Sequence, residues 1–349
     1  MPSELTKTQL VGMGMQELEQ FATALGEKPF RGRQLFAWIY NKKARDFAEM
    51  TDIAKPLRQR LTEVASIGLL RLVSEVTSGD GSTRKFLFQL GDGERIESVS
   101  IREGKRHTLC LSTQVGCALG CRFCATGQMG FRRNLLPGEI IDQVLVAERR
   151  VGQEVSNIVL MGMGEPLLNY EHVIAACELM RHERGLAIGH RRIVISTAGW
   201  VPGIMRLADE GHRFKLAISL NATTDEQRRA LMPVAERYPL QELLNAVTYY
   251  YRRSGRRPTF EYVLLAGVND SVDDARRLRE LVKQVPCKIN LIPYNATDGP
   301  YRRPSPGEIE AFRNGLAPLK APVIVRWSKG DDIQAACGQL AARAHQEET

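Results

Sequence analysis

From residue 108 onward, short runs of β-branched and aliphatic residues alternate with stretches of helical periodicity. The apolar runs predict seven strands, at residues 108–112, 157–161, 193–197, 215–220, 260–264, 288–293 and 323–327. The clearest helical patterns between them lie at residues 138–150, 170–181, 240–252 and 272–283. This rhythm is typical of βαβ units with a parallel sheet, either a barrel or an open doubly wound sheet.

The rest of the chain is predicted to form accessory segments around residues 104–340, the expected barrel. Residues 1–75 are expected to be a helical module that binds RNA, although its basic segment 27–43 also suits a helical cap with a solvated face. Residues 76–103 predict a β-hairpin extension, because two alternating runs flank the turn Gly91-Asp92-Gly93. Residues 341–349 are expected to be a flexible tail.

The composition limits the class of protein. Of the 349 residues, 43% are hydrophobic and 25% charged, which is typical of globular chains and excludes disordered and fibrous classes. No apolar run approaches the roughly 20 residues that span a bilayer, and the first residues lack the apolar core of a signal peptide. We therefore expect a cytoplasmic protein in a reducing compartment, where structural disulfides are rare.

The charge favours a polyanionic partner, since the net charge is +8 and the pI is near 9.2. Doubled arginines recur at positions 132–133, 149–150, 191–192, 252–253, 256–257 and 302–303. A single pair is commonly a solvated helix end or loop. Their recurrence on a basic protein predicts a phosphate-binding surface.

The cysteines are clustered, with four of the seven between residues 110 and 124. Cys117, Cys121 and Cys124 form a C-x3-C-x2-C pattern in a glycine-bearing loop. Three such thiolates suit three irons of a [4Fe–4S] cluster, whose fourth iron can then chelate S-adenosylmethionine. The alternative is structural zinc, which normally takes four ligands and would need Cys110 or His107 as the fourth.

Three separated motifs carry a resemblance to a known family. They are Gly116-Cys-Ala-Leu-Gly-Cys-Arg-Phe-Cys-Ala-Thr-Gly-Gln128, Gly162-Met-Gly-Glu-Pro-Leu-Leu-Asn169 and Ser328-Lys-Gly-Asp-Asp-Ile-Gln-Ala-Ala-Cys-Gly-Gln-Leu340. In this order they resemble the RlmN family of RNA adenine-C2 methyltransferases, within the radical S-adenosylmethionine (SAM) superfamily. The resemblance implies an α/β fold, a partial or modified (β/α) barrel of the radical SAM type with an N-terminal helical domain. The implied cofactors are a [4Fe–4S] cluster and SAM.

The resemblance also implies which residues hold these cofactors. Cys117, Cys121 and Cys124 would hold the cluster, and SAM would contact Gly164, Glu165, Ser196, Ser219, Leu220, Asn221 and Asn295. By themselves these residues would be ordinary turns and strand ends. Glycines do let a backbone approach a ligand closely, and an acid can receive an ammonium group.

Three further residues match the family's catalytic groups. The resemblance implies that Cys337 is methylated by a first SAM and delivers that carbon to RNA, with Cys110 as the resolving thiol and Glu97 as the general base. Without the family resemblance, a lone cysteine is usually interpreted as a buried apolar side chain, and a glutamate on a strand as facing solvent. Cys177 and Cys287 are expected to be core thiols.

The implied function is methylation of adenosine C2 in RNA, at adenosine 2503 of 23S rRNA and adenosine 37 of tRNAs, with two SAM per turnover. Adenine C2 has no nucleophilic lone pair, so direct attack on a sulfonium does not serve and radical chemistry is required. The implied partners are 23S rRNA, tRNA and an electron donor such as flavodoxin, with no membrane and a monomeric enzyme.

Three alternatives share part of the pattern. The resistance enzyme Cfr has the same cysteines and methylates C8, but Pro166 and the Ser328-Lys-Gly stretch favour the C2 enzyme. A non-catalytic RNA-binding protein could hold zinc at the cysteines. A radical enzyme acting on a protein would give no reason for both Cys110 and Cys337.

Overall fold

The computed structural model describes residues 7–342. Ten of its fourteen strands form one sheet, which organises the chain. The strands are β1 (Thr8–Gln9), β2 (Ala65–Ser66), β3 (Arg71–Thr77), β4 (Thr83–Gln89), β5 (Arg95–Glu103), β6 (Arg106–Cys110), β7 (Gln114–Gly116), β8 (Phe131–Asn134), β9 (Asn157–Leu160), β10 (Ile193–Thr197), β11 (Lys215–Ser219), β12 (Thr259–Leu264), β13 (Lys288–Pro293) and β14 (Val323–Val325). The α-helices are α1 (Met15–Ala24), α2 (Phe30–Phe36), α3 (Lys55–Val64), α4 (Ala125–Gln128), α5 (Pro137–Val151), α6 (Tyr170–Arg181), α7 (Val201–Asp209), α8 (Asp225–Leu231), α9 (Val234–Arg237), α10 (Leu240–Ser254), α11 (Val272–Val282) and α12 (Pro306–Gly315).

The parallel part of the sheet is a partial barrel. Strands β6 and β9 to β14 pair in chain order, each parallel to the next. Because βαβ crossovers are right-handed, adding every new strand on the same side places the helices on one face of the sheet. The strand order never reverses, so the doubly wound alternative is wrong and the predicted partial barrel is confirmed.

An antiparallel extension widens the sheet at its other edge. Strands β4 and β5 form the predicted hairpin, and β5 pairs with β6 to join it to the barrel. The sequence analysis did not predict β3, which pairs with β4 and crosses the boundary placed at residues 75 and 76. All seven predicted barrel strands and all four predicted helices are present, with ends shifted by two residues or fewer.

The helical module packs its apolar face inward. Leu35, Phe36, Ile39 and Tyr40 are buried, and the Tyr40 hydroxyl donates to the Met13 carbonyl oxygen at 2.8 Å. None of the helices in residues 7–342 has the length and apolarity to cross a bilayer. Residues 1–6, where a signal peptide would begin, and residues 343–349 of the predicted tail lie outside the described part of the chain.

Asp142 on α5 joins the helical module to the barrel. Its Oδ2 atom accepts the backbone N–H groups of Leu69 (2.6 Å) and Leu70 (2.8 Å), and the Arg45 guanidinium lies 3.3 Å from it. The Asp142 side chain is almost fully buried. Three donors from the chain preceding the sheet therefore converge on one carboxylate of the barrel.

We expect Asp142→Asn to lower the free energy of unfolding by about 2–3 kcal/mol, since a buried amide N–H group would replace one of the two acceptor oxygens that face the two backbone N–H groups and the half-buried Arg45 guanidinium. Chemical or thermal unfolding measures this effect. Asp273→Asn, at an exposed ion pair on α11, is the matched control and should change stability by less than about 0.5 kcal/mol. Equal losses in the two variants would contradict the role given to Asp142.

Candidate active site

The loop with Cys117, Cys121 and Cys124 lies between β7 and α4. Its first turn depends on Gly116, which has a left-handed φ of 71°. A Cβ atom at this position would lie 1.8 Å from the Gly130 carbonyl oxygen. Only glycine therefore lets β7 turn into the cysteine loop against the strand that follows it.

The C-terminal segment, residues 330–342, is bound directly to this loop. The Ala125 N–H donates to the Gly338 carbonyl oxygen at 2.7 Å, and the Thr126 hydroxyl donates to the Leu340 carbonyl oxygen at 2.6 Å. Cys337 is thereby held beside the loop although more than 200 residues separate them in sequence.

A cavity of about 160 Å³ is lined by all three cysteines. Burial raises the pKa of each thiol, that of Cys117 to about 12, because a thiolate loses its solvation there. An iron–sulfur cluster binds cysteine as thiolate and offsets this penalty, so the donor set fits it. Within residues 7–342 no three metal-ligating side chains lie close enough together to hold a single metal ion. A cluster differs in this respect, because each of its irons takes one thiolate.

Gly164 and Glu165 follow β9 and form another wall of this cavity. Gly164 has φ 100°, and a Cβ atom there would lie 2.5 Å from the Cβ atom of Gln114. The Glu165 carboxylate accepts the N–H groups of Leu167 (3.0 Å) and Ala198 (2.8 Å). Burial nevertheless raises the pKa of Glu165 to about 7, and an ammonium ligand would stabilise its ionised form.

The remaining predicted SAM contacts divide into two groups. Those that line the cavity are Ser196, Ser219 and Asn221. Leu220 is fully buried in the core and does not line it. Asn295 does not line it either, and its Nδ2 atom donates to the Cys337 carbonyl oxygen at 3.0 Å. Asn295 therefore orients the segment that carries Cys337.

A second cavity, of about 890 Å³, lies inside the barrel and is lined by Cys110, Arg326 and Cys337. Four residues line both cavities, namely Met161, Glu261, Ile292 and Cys337. Burial raises the pKa of Cys110 to about 12, the charge of Cys337 adds to this rise, and the Arg326 guanidinium opposes it. All seven cysteines are free, so no disulfide is present between these two. Cys177 and Cys287 are buried outside both cavities, as predicted.

Glu97 lies behind the C-terminal segment and lines neither cavity. Its Oε2 atom accepts the N–H groups of Ala341 (2.9 Å) and Ala342 (3.1 Å), and its Oε1 atom lies 3.1 Å from the Lys85 ammonium. The residue is buried, not solvent-facing. In this arrangement both carboxylate oxygens of Glu97 already have partners within the protein.

Five cations collect at the N-terminal ends of the barrel strands, opposite the cysteines. They line the mouth of the larger cavity and are Arg106, Lys215, Arg256, Arg257 and Lys288. No ion pair joins any of them to an acidic side chain in residues 7–342. Partial burial and the charges of its neighbours lower the pKa of Lys215. Other doubled arginines are paired, for example Arg133 with Glu139 and Arg150 with Glu75.

The basic segment of the helical module is also largely paired. Its ion pairs are Arg31–Glu27, Arg33–Glu19, Lys42–Asp52 and Lys43–Glu148. Phe36 and Tyr40 are in the core and do not present a face for base stacking. Phe30, Arg33 and Lys42 nevertheless stay exposed, so RNA binding by this module remains a prediction.

The sequence analysis missed Glu261 and Arg326. Both occur in or directly after apolar strands, in Phe260-Glu-Tyr-Val-Leu and Val323-Ile-Val-Arg. A charged residue in a strand covered on both faces is the signal that would have identified them. Arg326 lies near enough to Cys337 and Glu261 for their charges to raise its pKa.

Comparison with known proteins agrees with this geometry. Residues 111–279 match the radical SAM superfamily, and residues 8–67 match the N-terminal domain of ribosomal RNA large subunit methyltransferases. A crystal structure of a radical SAM methyltransferase from Sphaerobacter thermophilus superposes with a TM-score of 0.94 at 45% identity, covering 96% of this chain and 100% of that one. The fold is that of a radical SAM enzyme.

Relatives define the family within this class. The dual-specificity RNA methyltransferase RlmN of Anaeromyxobacter sp. (strain Fw109-5) is 49% identical, over 98% of this chain and 92% of the relative. The dual-specificity RNA methyltransferase RlmN of Geobacter sulfurreducens is 48% identical, over 96% of this chain and 92% of the relative. The chain belongs to the RlmN family of RNA methyltransferases, and its cofactors are a [4Fe–4S] cluster and SAM. The non-catalytic zinc-binding alternative is therefore wrong.

We expect Cys121→Ala to abolish cluster binding, because two thiolates cannot hold three irons of the cluster. Protein purified or reconstituted without oxygen should contain about four irons per chain in the wild type and under about one in the variant, with loss of the brown colour. Iron analysis and visible absorbance measure this.

Cys287→Ala is the matched control, since Cys287 is a buried free cysteine outside both cavities. It should keep the full iron content. Retention of four irons by Cys121→Ala would refute the ligand assignment.

Proposed function

We propose that this enzyme methylates C2 of adenosine in RNA, at adenosine 2503 of 23S rRNA and adenosine 37 of tRNAs. The observation that carries the proposal is the position of Cys337, which lines both the cavity with the three cysteines and the larger cavity. A methyl carrier must reach a cofactor on one side and a substrate base on the other. Cys337 is the only cysteine in residues 7–342 that lines both cavities.

In this proposal Cys117, Cys121 and Cys124 hold the cluster, and Glu165, with Gly164, receives the SAM amino group. Ser196, Ser219 and Asn221 complete the cofactor contacts. Leu220 would contact SAM through its backbone, and Asn295 would act through the C-terminal segment to which it is hydrogen-bonded. Neither residue lines the cavity. When bound, the two cofactors supply the methyl carbon and the one-electron chemistry that activates it.

The protein residues then transfer the carbon. Cys337 carries it as a methyl thioether. The cofactors would supply the removal of one hydrogen atom from this methyl group and would take up the electron left over when its carbon bonds to C2 of the adenine. After a base has taken the C2 proton, the Cys110 thiolate attacks the Cys337 sulfur. The carbon–sulfur bond breaks, a disulfide forms, and the released carbon takes up a proton to complete the methyl group. Arg326, beside both thiols, favours the Cys110 thiolate that this step needs.

Glu97 is the proposed base for the C2 proton. Its carboxylate binds the N–H groups of Ala341 and Ala342, so it becomes free only when this part of the C-terminal segment moves away. Lys85, 3.1 Å from its Oε1 atom, would stay with it and keep the carboxylate oriented.

The RNA would approach the N-terminal ends of the barrel strands. Five cations that have no acidic partner among the described residues surround the larger cavity there, and phosphates would relieve their mutual repulsion. Residues 1–75, which include the matched N-terminal domain, would form the accessory module, with residues 76–103 as the hairpin extension and 104–340 as the barrel. The target adenosine must leave its stack to enter the cavity.

The remaining parts of the proposal concern the cellular setting. We propose a monomeric enzyme in the cytoplasm, where its RNA substrates are found. Each turnover leaves a disulfide between Cys110 and Cys337, so an external electron donor such as flavodoxin must supply the reducing equivalents.

We expect Cys337→Ala to abolish methyl transfer to RNA while the iron content stays at the wild-type level, because the carrier sulfur is lost and the cluster ligands are not. Cys110→Ala should accumulate a covalent protein–RNA adduct, since nothing then attacks the Cys337 sulfur. Mass spectrometry of the digested RNA and gel analysis of the protein measure the two outcomes.

The wild-type product identifies the reaction. Methylation at C2 supports the proposal, and methylation only at C8 would refute it in favour of the Cfr-type reaction. Full activity of Cys337→Ala would refute the carrier.

We expect Lys288→Gln to weaken RNA binding several-fold and to reduce the slope of log affinity against log salt by about one, since one phosphate contact is lost. Lys283→Gln, at an exposed ion pair on α11, is the control and should leave the slope unchanged. Equal slopes for wild type and Lys288→Gln would contradict this approach of the RNA.

A further inference from the structure

Glu261 has a buried carboxylate oxygen without a partner. Its Oε1 atom accepts the Asn290 Nδ2 group at 2.9 Å, while its Oε2 atom has no hydrogen bond within residues 7–342. The residue is 5% exposed. Leaving a buried carboxylate oxygen without a hydrogen bond costs roughly 1–3 kcal/mol or more, which indicates that a bound ligand supplies the missing donor.

The surroundings of Glu261 restrict what that ligand can be. Glu261 lines both cavities beside Cys337 and therefore lies where cofactor and substrate sides meet. Asn290 fixes the orientation of the carboxylate by occupying the other oxygen. Burial raises the pKa of Glu261, and the nearby Arg326 guanidinium opposes this rise without forming a hydrogen bond with the carboxylate.

We propose that Glu261 accepts a hydrogen bond, through Oε2, from the exocyclic amino group of the adenine that is methylated. Glu261 is thus the residue that recognises the base as adenine and positions its C2 atom against Cys337. Asn290 acts as a positioning residue that orients the carboxylate. This inference rests on the proposed function.

The chemistry of the base supports this match. Adenine presents an amino donor at C6, and carboxylates accept hydrogen bonds from exocyclic amines of bases. Enzymes that act on an extruded base commonly read its Watson–Crick edge in a closed pocket. The larger cavity, about 890 Å³, has a volume typical of sites for a small ligand and can take an extruded nucleoside.

Inosine provides a sharp test because it keeps the C2 hydrogen and replaces the amino group with a carbonyl oxygen. That oxygen would face the Glu261 carboxylate, acceptor against acceptor. Wild-type enzyme should therefore have a kcat/KM at least roughly 100-fold lower on an RNA fragment with inosine at the target position. In Glu261→Gln, Asn290 still binds the Oε1 position, and an amide N–H group replaces Oε2.

We expect Glu261→Gln to lower kcat/KM for adenosine RNA by roughly 10- to 100-fold and to raise it for inosine RNA, so that the preference falls or reverses. Glu261→Ala should lose adenosine activity without gaining inosine activity, because it supplies no donor. Single-turnover methylation of both RNAs by reconstituted holoenzyme measures these values. Glu310→Gln, at an exposed ion pair on α12, is the charge-matched control and should keep the wild-type preference.

A second measurement separates substrate recognition from cofactor binding and from misfolding. Methylation of Cys337 by SAM needs no RNA, so it should proceed at the wild-type rate in Glu261→Gln and Glu261→Ala. Loss of this step would show that Glu261 serves the cofactor or the fold, and would overturn the inference. An unchanged preference for adenosine in Glu261→Gln would overturn it as well. Failure of the wild type to methylate adenosine C2 would instead refute the proposed function itself.

Discussion

The attachment of the C-terminal segment to the barrel is the constraint on which the site depends. Its carbonyl groups accept hydrogen bonds from the cysteine loop and from Asn295, and its N–H groups donate to Glu97. These bonds place Cys337 where it lines both cavities. Residues widely separated in sequence thereby become one site, with three cysteines on one side and Cys110 and Arg326 on the other.

Electrostatics divides the barrel into two ends of different chemistry. At the C-terminal ends of the strands, buried thiols and Glu165 lack solvation and favour a cationic ligand. At the N-terminal ends, unpaired cations crowd one another and favour a polyanion. A cofactor and an RNA can therefore approach from opposite directions without competing for the same surface.

Local patterns made the barrel strands, the hairpin and the cysteine triplet predictable, because alternation and spacing extend over a few residues. The family resemblance contributed Glu165 and Cys337, and both line the cavity that it implied. The pairing of Glu97 with Ala341, and the orphaned oxygen of Glu261, depend on contacts between distant segments. Sequence also could not tell which cations have acidic partners, as Arg33 and Lys43 of the basic segment 27–43 do.

The in-order pairing of the barrel strands has a consequence for local stability. Each strand from β9 onward is hydrogen-bonded to the barrel strand before it in the chain, so ladders of backbone hydrogen bonds hold the sheet together cooperatively. The C-terminal segment has no ladder and is held by single hydrogen bonds from several elements. Such a unit opens at a lower free energy than the sheet beneath it. The enzyme thus combines a rigid sheet with a C-terminal segment that can open separately, and this segment carries Cys337.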